Sequence, residues 1–146
     1  MSDDELYFDD VEVGGTAPVR THTLTRTDLV KYAGASGDYN PMHTDEVAAK
    51  DAGLPSVFGH GMFSAGMLAS ALTDYVGLGR LTRYKVRFTK QTWPGDVLSS
   101  AITVTGKRTE GDRYYIDLDC QLVNDKGGAV VVGEATADLA SRGGEK

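Results

Sequence analysis

The segment 36–45, SGDYNPMHTD, brings together side chains that can move protons. Asn40-Pro41 interrupts regular structure, so the segment is expected to be a loop, where functional groups commonly lie. Its three candidate catalytic side chains are Asp38, Asn40 and His43. A carboxylate and an imidazole can share the transfer of a proton, and an amide can orient a water molecule.

A second polar cluster, Gly59-His60-Gly61, stands immediately before a long apolar segment. If that segment is a helix, its first N–H groups are unpaired and carry a partial positive charge. Such a site can hold a carbonyl oxygen that gains negative charge during a reaction. The helix end could polarise a thioester carbonyl. The proton-transfer groups could then remove a proton from Cα and protonate a departing β-hydroxyl.

Each of these residues also has a purely structural interpretation. Asp38 could cap a turn or a helix, Asn40-Pro41 could be a plain turn, and His43 could be a hydrogen-bonded structural histidine. A structural role is favoured for His60. The residue types alone therefore leave both interpretations open.

Three helices are predicted around these clusters. The first begins with Thr25 and Asp28 as a capping signal and ends at Gly34. The second spans 45–52, with Thr44 as its cap and Gly53 as its end. The third, Gly61–Val76, is apolar around most of its circumference, so it is expected to be buried.

The second half of the chain alternates apolar and polar residues with a period of two. This alternation predicts strands near 84–88, 98–104, 114–122 and 131–139, separated by turn signals at 94–96, 110–112 and 124–128. Consecutive strands are expected to pair antiparallel, and residues 21–25 could supply a further strand. The one apolar helix must cover the sheet. The predicted fold is α+β, an antiparallel sheet wrapped around one long buried central helix, the hot-dog arrangement.

The 146 residues and the composition fit a single globular domain spanning 1–146, with frayed ends at 1–6 and 141–146. The net charge of −6 disfavours binding to nucleic acid or to an anionic membrane surface. The lone Cys120 is expected to be a buried structural thiol. The sequence shows no signal-peptide pattern and no membrane-spanning run, which predicts a cytoplasmic location.

Four segments resemble the MaoC-like, or (R)-specific enoyl-CoA hydratase, family. YAGASGDYNPMHTDE (32–46) is similar to its signature segment and FGHGMFSAGM (58–67) to the entry into its central helix. RYKVRFTKQTWPGDVL (83–98) looks like the strand and turn that follow, and FDDVEVGG (8–15) like the lead-in. The segments occur in the family's order over nearly the whole chain.

The resemblance implies roles for individual residues. Asp38 and His43 match the catalytic dyad that binds and activates water, and Asn40 matches the amide that helps to orient this group. The backbone N–H of Gly61 matches the contact to the thioester carbonyl, and Ser64 a small polar position that lines the site. His60 and Met62 are further candidate substrate contacts. Gln91 departs from the family, because relatives often carry proline there.

The resemblance thus implies reversible hydration of trans-2-enoyl thioesters to (R)-3-hydroxyacyl thioesters, with no cofactor and no metal. The substrate could be carried by CoA or by acyl-carrier protein. A homodimer is expected, because a single sheet leaves exposed edges, and a heteromer with a related subunit is an alternative. The sequence is also compatible with a hot-dog thioesterase, a non-catalytic binding subunit, or a metal site of Asp38, His43 and Asp45.

A basic patch is expected to meet the anionic carrier of the substrate. Arg83, Lys85 and Arg87 would project from one face of a strand, and Arg83 and Arg87 are the candidate substrate contacts. The alternative is a solvated sheet face that serves only solubility.

Overall fold

In the computed structural model, residues 5–144 are described, and they form one sheet and three α-helices. The helices are α1 (Arg26–Ser36), α2 (Glu46–Asp51) and α3 (Gly61–Val76). The strands are β1 (Thr21–Thr23), β2 (Leu81–Phe88), β3 (Val97–Glu110), β4 (Arg113–Val123) and β5 (Ala129–Asp138). None of the helices in this part of the chain is long and apolar enough to cross a membrane.

The five strands are antiparallel neighbours in the order β1-β3-β4-β5-β2. The predicted alternation is confirmed in the two central strands, because one face of each is buried against the core. On β3 this face carries Leu98, Ser100, Ile102 and Val104, and on β4 it carries Ile116, Leu118, Cys120 and Leu122. The predicted α+β fold, with a sheet packed on one long helix, is confirmed, and the suggested strand at 21–25 is β1.

The expectation that all consecutive strands pair was wrong for β2 and β3. Strand β2 pairs with β5, at the far edge of the sheet from β1. The connecting segment 89–96 forms backbone hydrogen bonds with the first half of the chain. The carbonyl of Thr92 accepts from the N–H of Gly59 at 2.8 Å, and the N–H of Gly95 donates to the carbonyl of Leu24 at 2.7 Å. The segment therefore crosses the beginning of α3 instead of closing a hairpin.

Helix α3 has the bounds that its apolar composition predicts. Leu68 and Leu72 are fully buried, and the hydroxyl of Tyr84 on β2 donates to the carbonyl of Ala65 at 2.7 Å. This contact shows that Tyr84 and α3 lie on the same side of the sheet. The side chain of Met62 in the first turn remains 61% exposed.

The ends of the two shorter helices differ from the sequence prediction. The Thr25–Asp28 capping box of α1 is confirmed, but α1 continues past Gly34 to Ser36 and ends at Gly37, whose φ of 77° is the left-handed conformation that glycine adopts readily. The cap of α2 is Asp45 and not Thr44, because the carboxylate of Asp45 accepts from the N–H groups of Val47 and Ala48.

Fraying was predicted at 1–6 and 141–146, of which 1–4 and 145–146 lie outside the described residues. Within the described part, Leu6 packs against the core. The guanidinium of Arg142 donates to the carboxylate of Asp10 at 2.8 Å. These inner portions of the two ends are therefore attached to the fold.

Candidate active site

The loop after α1 is organised by short side-chain-to-backbone hydrogen bonds. Oδ1 of Asp38 accepts from the N–H of Asn40 at 3.2 Å, and Oδ1 of Asn40 accepts from the N–H of Met42 at 3.1 Å. The second bond caps a turn of 3-10 helix, Pro41–His43. Asn40 therefore fixes the turn that carries His43, while the other oxygen of Asp38 stays available.

The side chains of Asp38 and His43 face each other. Nδ1 of His43 lies 2.6 Å from the carbonyl oxygen of Phe58, which has no proton to give, so Nδ1 carries the proton of the bond. In the neutral ring, Nε2 then presents a lone pair, and it lies 3.9 Å from Oδ2 of Asp38. This distance is too long for a direct hydrogen bond and suits a bridging water molecule.

The two groups differ in their exposure to solvent. His43 is 7% exposed, whereas the side chain of Asp38 is half exposed. The imidazole is therefore held rigidly in the protein, and solvent or a substrate reaches the pair from the side of the carboxylate.

His60 supports both members of the pair. Its Nε2–H donates to the backbone carbonyl of Asp38 at 3.1 Å, and its ring stacks on that of His43 with 3.9 Å between centroids. The ring of Tyr32 packs edge-on against it at 4.8 Å. Burial lowers the pKa of His60, and the neighbouring His43 lowers it further. A neutral, buried His60 fits the structural role favoured from the sequence.

Asp38, His43 and His60 each place a potential ligand atom within 4.8 Å of the others, and a carboxylate with two imidazoles is a donor set that transition metals use. The geometry does not fit such an ion. Imidazole lone pairs lie in the ring planes, and two rings stacked at only 27° cannot both point them at one metal. The set of Asp38, His43 and Asp45 fits no better, because the carboxylate of Asp45 caps α2.

A cavity of about 380 Å³ lies at the beginning of α3. Gly61 and Ser64 line it, and Phe88 forms part of its wall. Since Gly61 is the first residue of α3, its N–H has no acceptor within the helix. The hydroxyl of Ser64 is buried and has no hydrogen-bond partner in the described part of the chain. Two donors are thus available to an oxygen atom in this cavity.

The absence of side chains at Gly59 and Gly61 lets the cavity form. A Cβ added at Gly59 would lie 2.1 Å from the hydroxyl oxygen of the buried Thr92, and one added at Gly61 would lie 3.2 Å from the ring of Phe88. The segment 58–61 joins the cavity to the pair, because the carbonyl of Phe58 holds His43 and the N–H of Gly59 holds Thr92.

A family model described as MaoC like domain matches residues 12–118, which include Asp38, His43, Gly61 and Ser64. The chain belongs to the MaoC-like domain family. It is 32% identical to an (R)-specific enoyl-CoA hydratase of Rhodospirillum rubrum, over 98% of this chain and 100% of that protein. It is 28% identical to a 3-hydroxybutyryl-CoA dehydratase of Methylorubrum extorquens, over 94% and 86% of the two chains.

A solved structure supports the same relationship. The unliganded R-hydratase PhaJ1 of Pseudomonas aeruginosa superimposes with a TM-score of 0.85 at 27% sequence identity, over 94% of this chain and 88% of that one. The resemblance to the family inferred from the sequence motifs is therefore confirmed, and so is the hot-dog fold.

Within this MaoC-like fold, the predicted substrate contacts on β2 lie away from the pair. Tyr84 faces α3, so Arg83 and Arg87 project from the opposite face of the sheet. Arg83 pairs with Glu134 at 2.9 Å, and Arg87 lines a separate surface cavity of about 710 Å³. Met62 is exposed and does not line the cavity of Gly61 and Ser64. Their contact with substrate stays a prediction.

Three features of the site were missed in the sequence. The carbonyl of Phe58 that orients His43 is a backbone group, and no side-chain pattern reveals it. Phe88 alternates with Arg87 in the sequence and shares its face with Tyr84, which predicts a position toward the core, but it is 49% exposed beside Gly61. Lys90 lines the cavity, although in the sequence it is only one of five basic residues between positions 80 and 90. The apolar–polar alternation ends after Phe88, and this is the signal that could have marked Phe88 as the end of β2 and Lys90 as part of the following loop.

Proposed function

We propose that this chain catalyses the reversible hydration of trans-2-enoyl thioesters to (R)-3-hydroxyacyl thioesters. One geometric observation carries the proposal: Nε2 of His43 and Oδ2 of Asp38 lie 3.9 Å apart, and the segment 58–61 joins this pair to the first N–H of α3, at Gly61. The names of the full-length relatives, an (R)-specific enoyl-CoA hydratase and a 3-hydroxybutyryl-CoA dehydratase, support the substrate class. The (R) configuration is taken from the relatives alone.

In the direction of hydration, a water molecule sits between Asp38 and His43. Its oxygen forms a bond to Cβ of the enoyl group while one of its protons passes to the dyad, and the π electrons move toward the thioester oxygen. The dyad then returns a proton to Cα, so that one OH and one H have been added and both side chains recover their starting state. Dehydration follows the same steps in reverse.

The thioester oxygen gains negative charge during this reaction, and the beginning of α3 is suited to hold it. The N–H of Gly61 and the partial positive charge of the helix are fixed before substrate binds, so little reorganisation is needed. The buried hydroxyl of Ser64 is a second donor on the same cavity wall.

The test is an assay of crotonyl-CoA hydration by this protein alone. Loss of the conjugated enoyl absorbance without release of free thiol is the expected result, and chiral chromatography of the product should give the (R) form. Release of thiol would indicate a thioesterase instead, and an (S) product would contradict the proposed stereochemistry. No reaction with the protein alone, followed by activity after addition of a related subunit, would indicate a heteromer.

We also propose a homodimer. Within the described sheet, β2 is hydrogen-bonded on one side only, to β5. The free N–H and C=O groups along the other side of β2 offer a template for pairing with a second copy, and an isologous pair leaves no free edge there. A monomeric mass by light scattering at micromolar concentration, with full activity, would contradict this.

A further inference from the structure

The cavity of Gly61 and Ser64 reaches the surface at a short loop, residues 89–92, that is fixed at both ends. The N–H of Thr89 donates to the carbonyl of Val130 at 3.0 Å, and the carbonyl of Thr92 accepts from Gly59 at 2.8 Å. Lys90, between these anchors, is exposed and lines the cavity. Lys90 therefore forms part of the wall of the cavity where the cavity meets the loop.

Lys90 has no ion-pair partner among residues 5–144, although the protein carries a net charge of −6. Arg83 pairs with Glu134, and Lys126 pairs with Asp96. Lys85 and Arg87 also have no ion pair among the described residues, but they line the separate cavity on the other face of the sheet. An ammonium group without a carboxylate, on the wall of a ligand cavity, is free to bind an acceptor that enters the cavity.

The position of this ammonium group depends on Gly128. A Cβ added there would lie 2.6 Å from Nζ of Lys90, so the lysine side chain occupies the space that a side chain would take. Gly128 belongs to a well-defined turn, since Oδ1 of Asn124 accepts from its N–H at 2.9 Å. The side chain of Lys90 thus rests on a rigid surface.

From these contacts we infer that Lys90 binds an amide carbonyl of the pantetheine arm, the part that CoA and acyl-carrier-protein thioesters share. The inference rests on the proposed function, which puts the thioester oxygen at the N–H of Gly61. Leading away from the sulfur atom, the next acceptors are the two amide carbonyls of the arm. The phosphate lies beyond both amides and a branched hydroxyl-bearing segment, too far to share a cavity of about 380 Å³ with the thioester.

The test compares crotonyl-CoA with crotonyl-pantetheine, which keeps the amides and lacks the phosphates. Lys90→Met should raise KM about tenfold for both substrates with kcat unchanged, because a charge-assisted hydrogen bond to the unreacting arm is lost. The matched control is Lys31→Met, because Lys31 is an exposed, unpaired lysine of α1 among the described residues and does not line the cavity. Gly128→Ala should also raise KM for both substrates, since the new methyl group displaces Nζ of Lys90.

Each contrary result overturns the inference in a recognisable way. A rise in KM for crotonyl-CoA only would assign Lys90 to a phosphate. Equal KM values in wild type and Lys90→Met, or the same rise in Lys31→Met, would remove a specific role for Lys90. Thermal unfolding of each variant checks that the fold is retained. Failure of the proposed function itself is separate, because the wild-type protein would then hydrate neither substrate.

Discussion

Oδ2 of Asp38 lies 3.9 Å from Nε2 of His43, and a backbone carbonyl on the other side of the imidazole fixes which nitrogen carries the proton. Two acceptors at this spacing can hold one water molecule between them and both can take part in moving its protons.

Removing either proton-transfer group should abolish most of the hydratase activity. Asp38→Asn and His43→Gln are each expected to lower kcat for crotonyl-CoA by at least ~100-fold, the usual contribution of a general acid or base. Circular dichroism and the unfolding midpoint should change little for Asp38→Asn, whose side chain is half exposed. Full activity in both variants at unchanged stability would exclude the pair from the mechanism.

Asn40 should act by positioning, because its Oδ1 caps the turn that carries His43. Asn40→Ala is expected to lower the free energy of unfolding by about 1 kcal/mol, as for other lost caps, and to lower kcat as His43 becomes less well placed. Asn40→Ser keeps an oxygen that can accept from the N–H of Met42, so it should recover most of both losses. If Ser restores stability without restoring kcat, the amide of Asn40 has a direct role beyond the cap.

His60 should make the stability of the protein depend on pH. Burial lowers its pKa below the ordinary value of 6.5, with a further contribution from His43. The unfolded chain therefore binds more protons than the native state in the range below pH 6.5, and the free energy of unfolding falls as the pH falls through that range. Well above pH 6.5 both states hold a neutral ring, so His60 contributes no slope there.

The measurement is urea unfolding between pH 5 and pH 8. Wild type should lose stability below about pH 6.5, and His60→Gln, which has no titrating ring, should lose less over the same range. His60→Gln keeps an N–H that can donate to the carbonyl of Asp38, so its fold should be retained. Identical slopes in the two proteins would mean that another group causes the pH dependence.

The sequence predicts the long elements well because their signals are local. The apolar composition of 61–76 predicts α3 with its observed bounds, and period-two alternation predicts β3 and β4. The partner of β2 was mispredicted because alternation says which face of a strand is buried and not which strand lies beside it. Likewise, the end of α1 at Gly37 instead of Gly34 depends on where the chain needs a positive φ, and both glycines offer one.

The candidate site was predictable only where side-chain identity carries the chemistry. Asp38, His43 and Gly61 stand out by type and spacing. The structure places His43, with Asp38 beside it, at the carbonyl of Phe58, and Gly61 at the other end of the segment 58–61. The stacking of His60 on His43 depends on tertiary packing that joins residues 17 positions apart. The carbonyl of Phe58 depends on backbone direction. Neither leaves a pattern along the chain.

The closeness of Gly61 to Phe88 gives the last prediction. A methyl group at position 61 would lie 3.2 Å from the ring of Phe88, tighter than ordinary van der Waals contact, and it would sit beside the N–H assigned to the thioester oxygen. Gly61→Ala is therefore expected to lower kcat/KM for crotonyl-CoA by about 100-fold, the lower end of what loss of one oxyanion donor costs, because the carbonyl is held off its donor. Phe88 is half exposed, so the clash can be relieved by shortening it. The double variant Gly61→Ala, Phe88→Leu should recover part of the loss, and Phe88→Leu alone should have a smaller effect than Gly61→Ala.

A double-mutant cycle of kcat/KM measures the interaction between the two positions. Strict additivity in that cycle would show that the methyl group at position 61 acts on the substrate directly and not through the ring of Phe88.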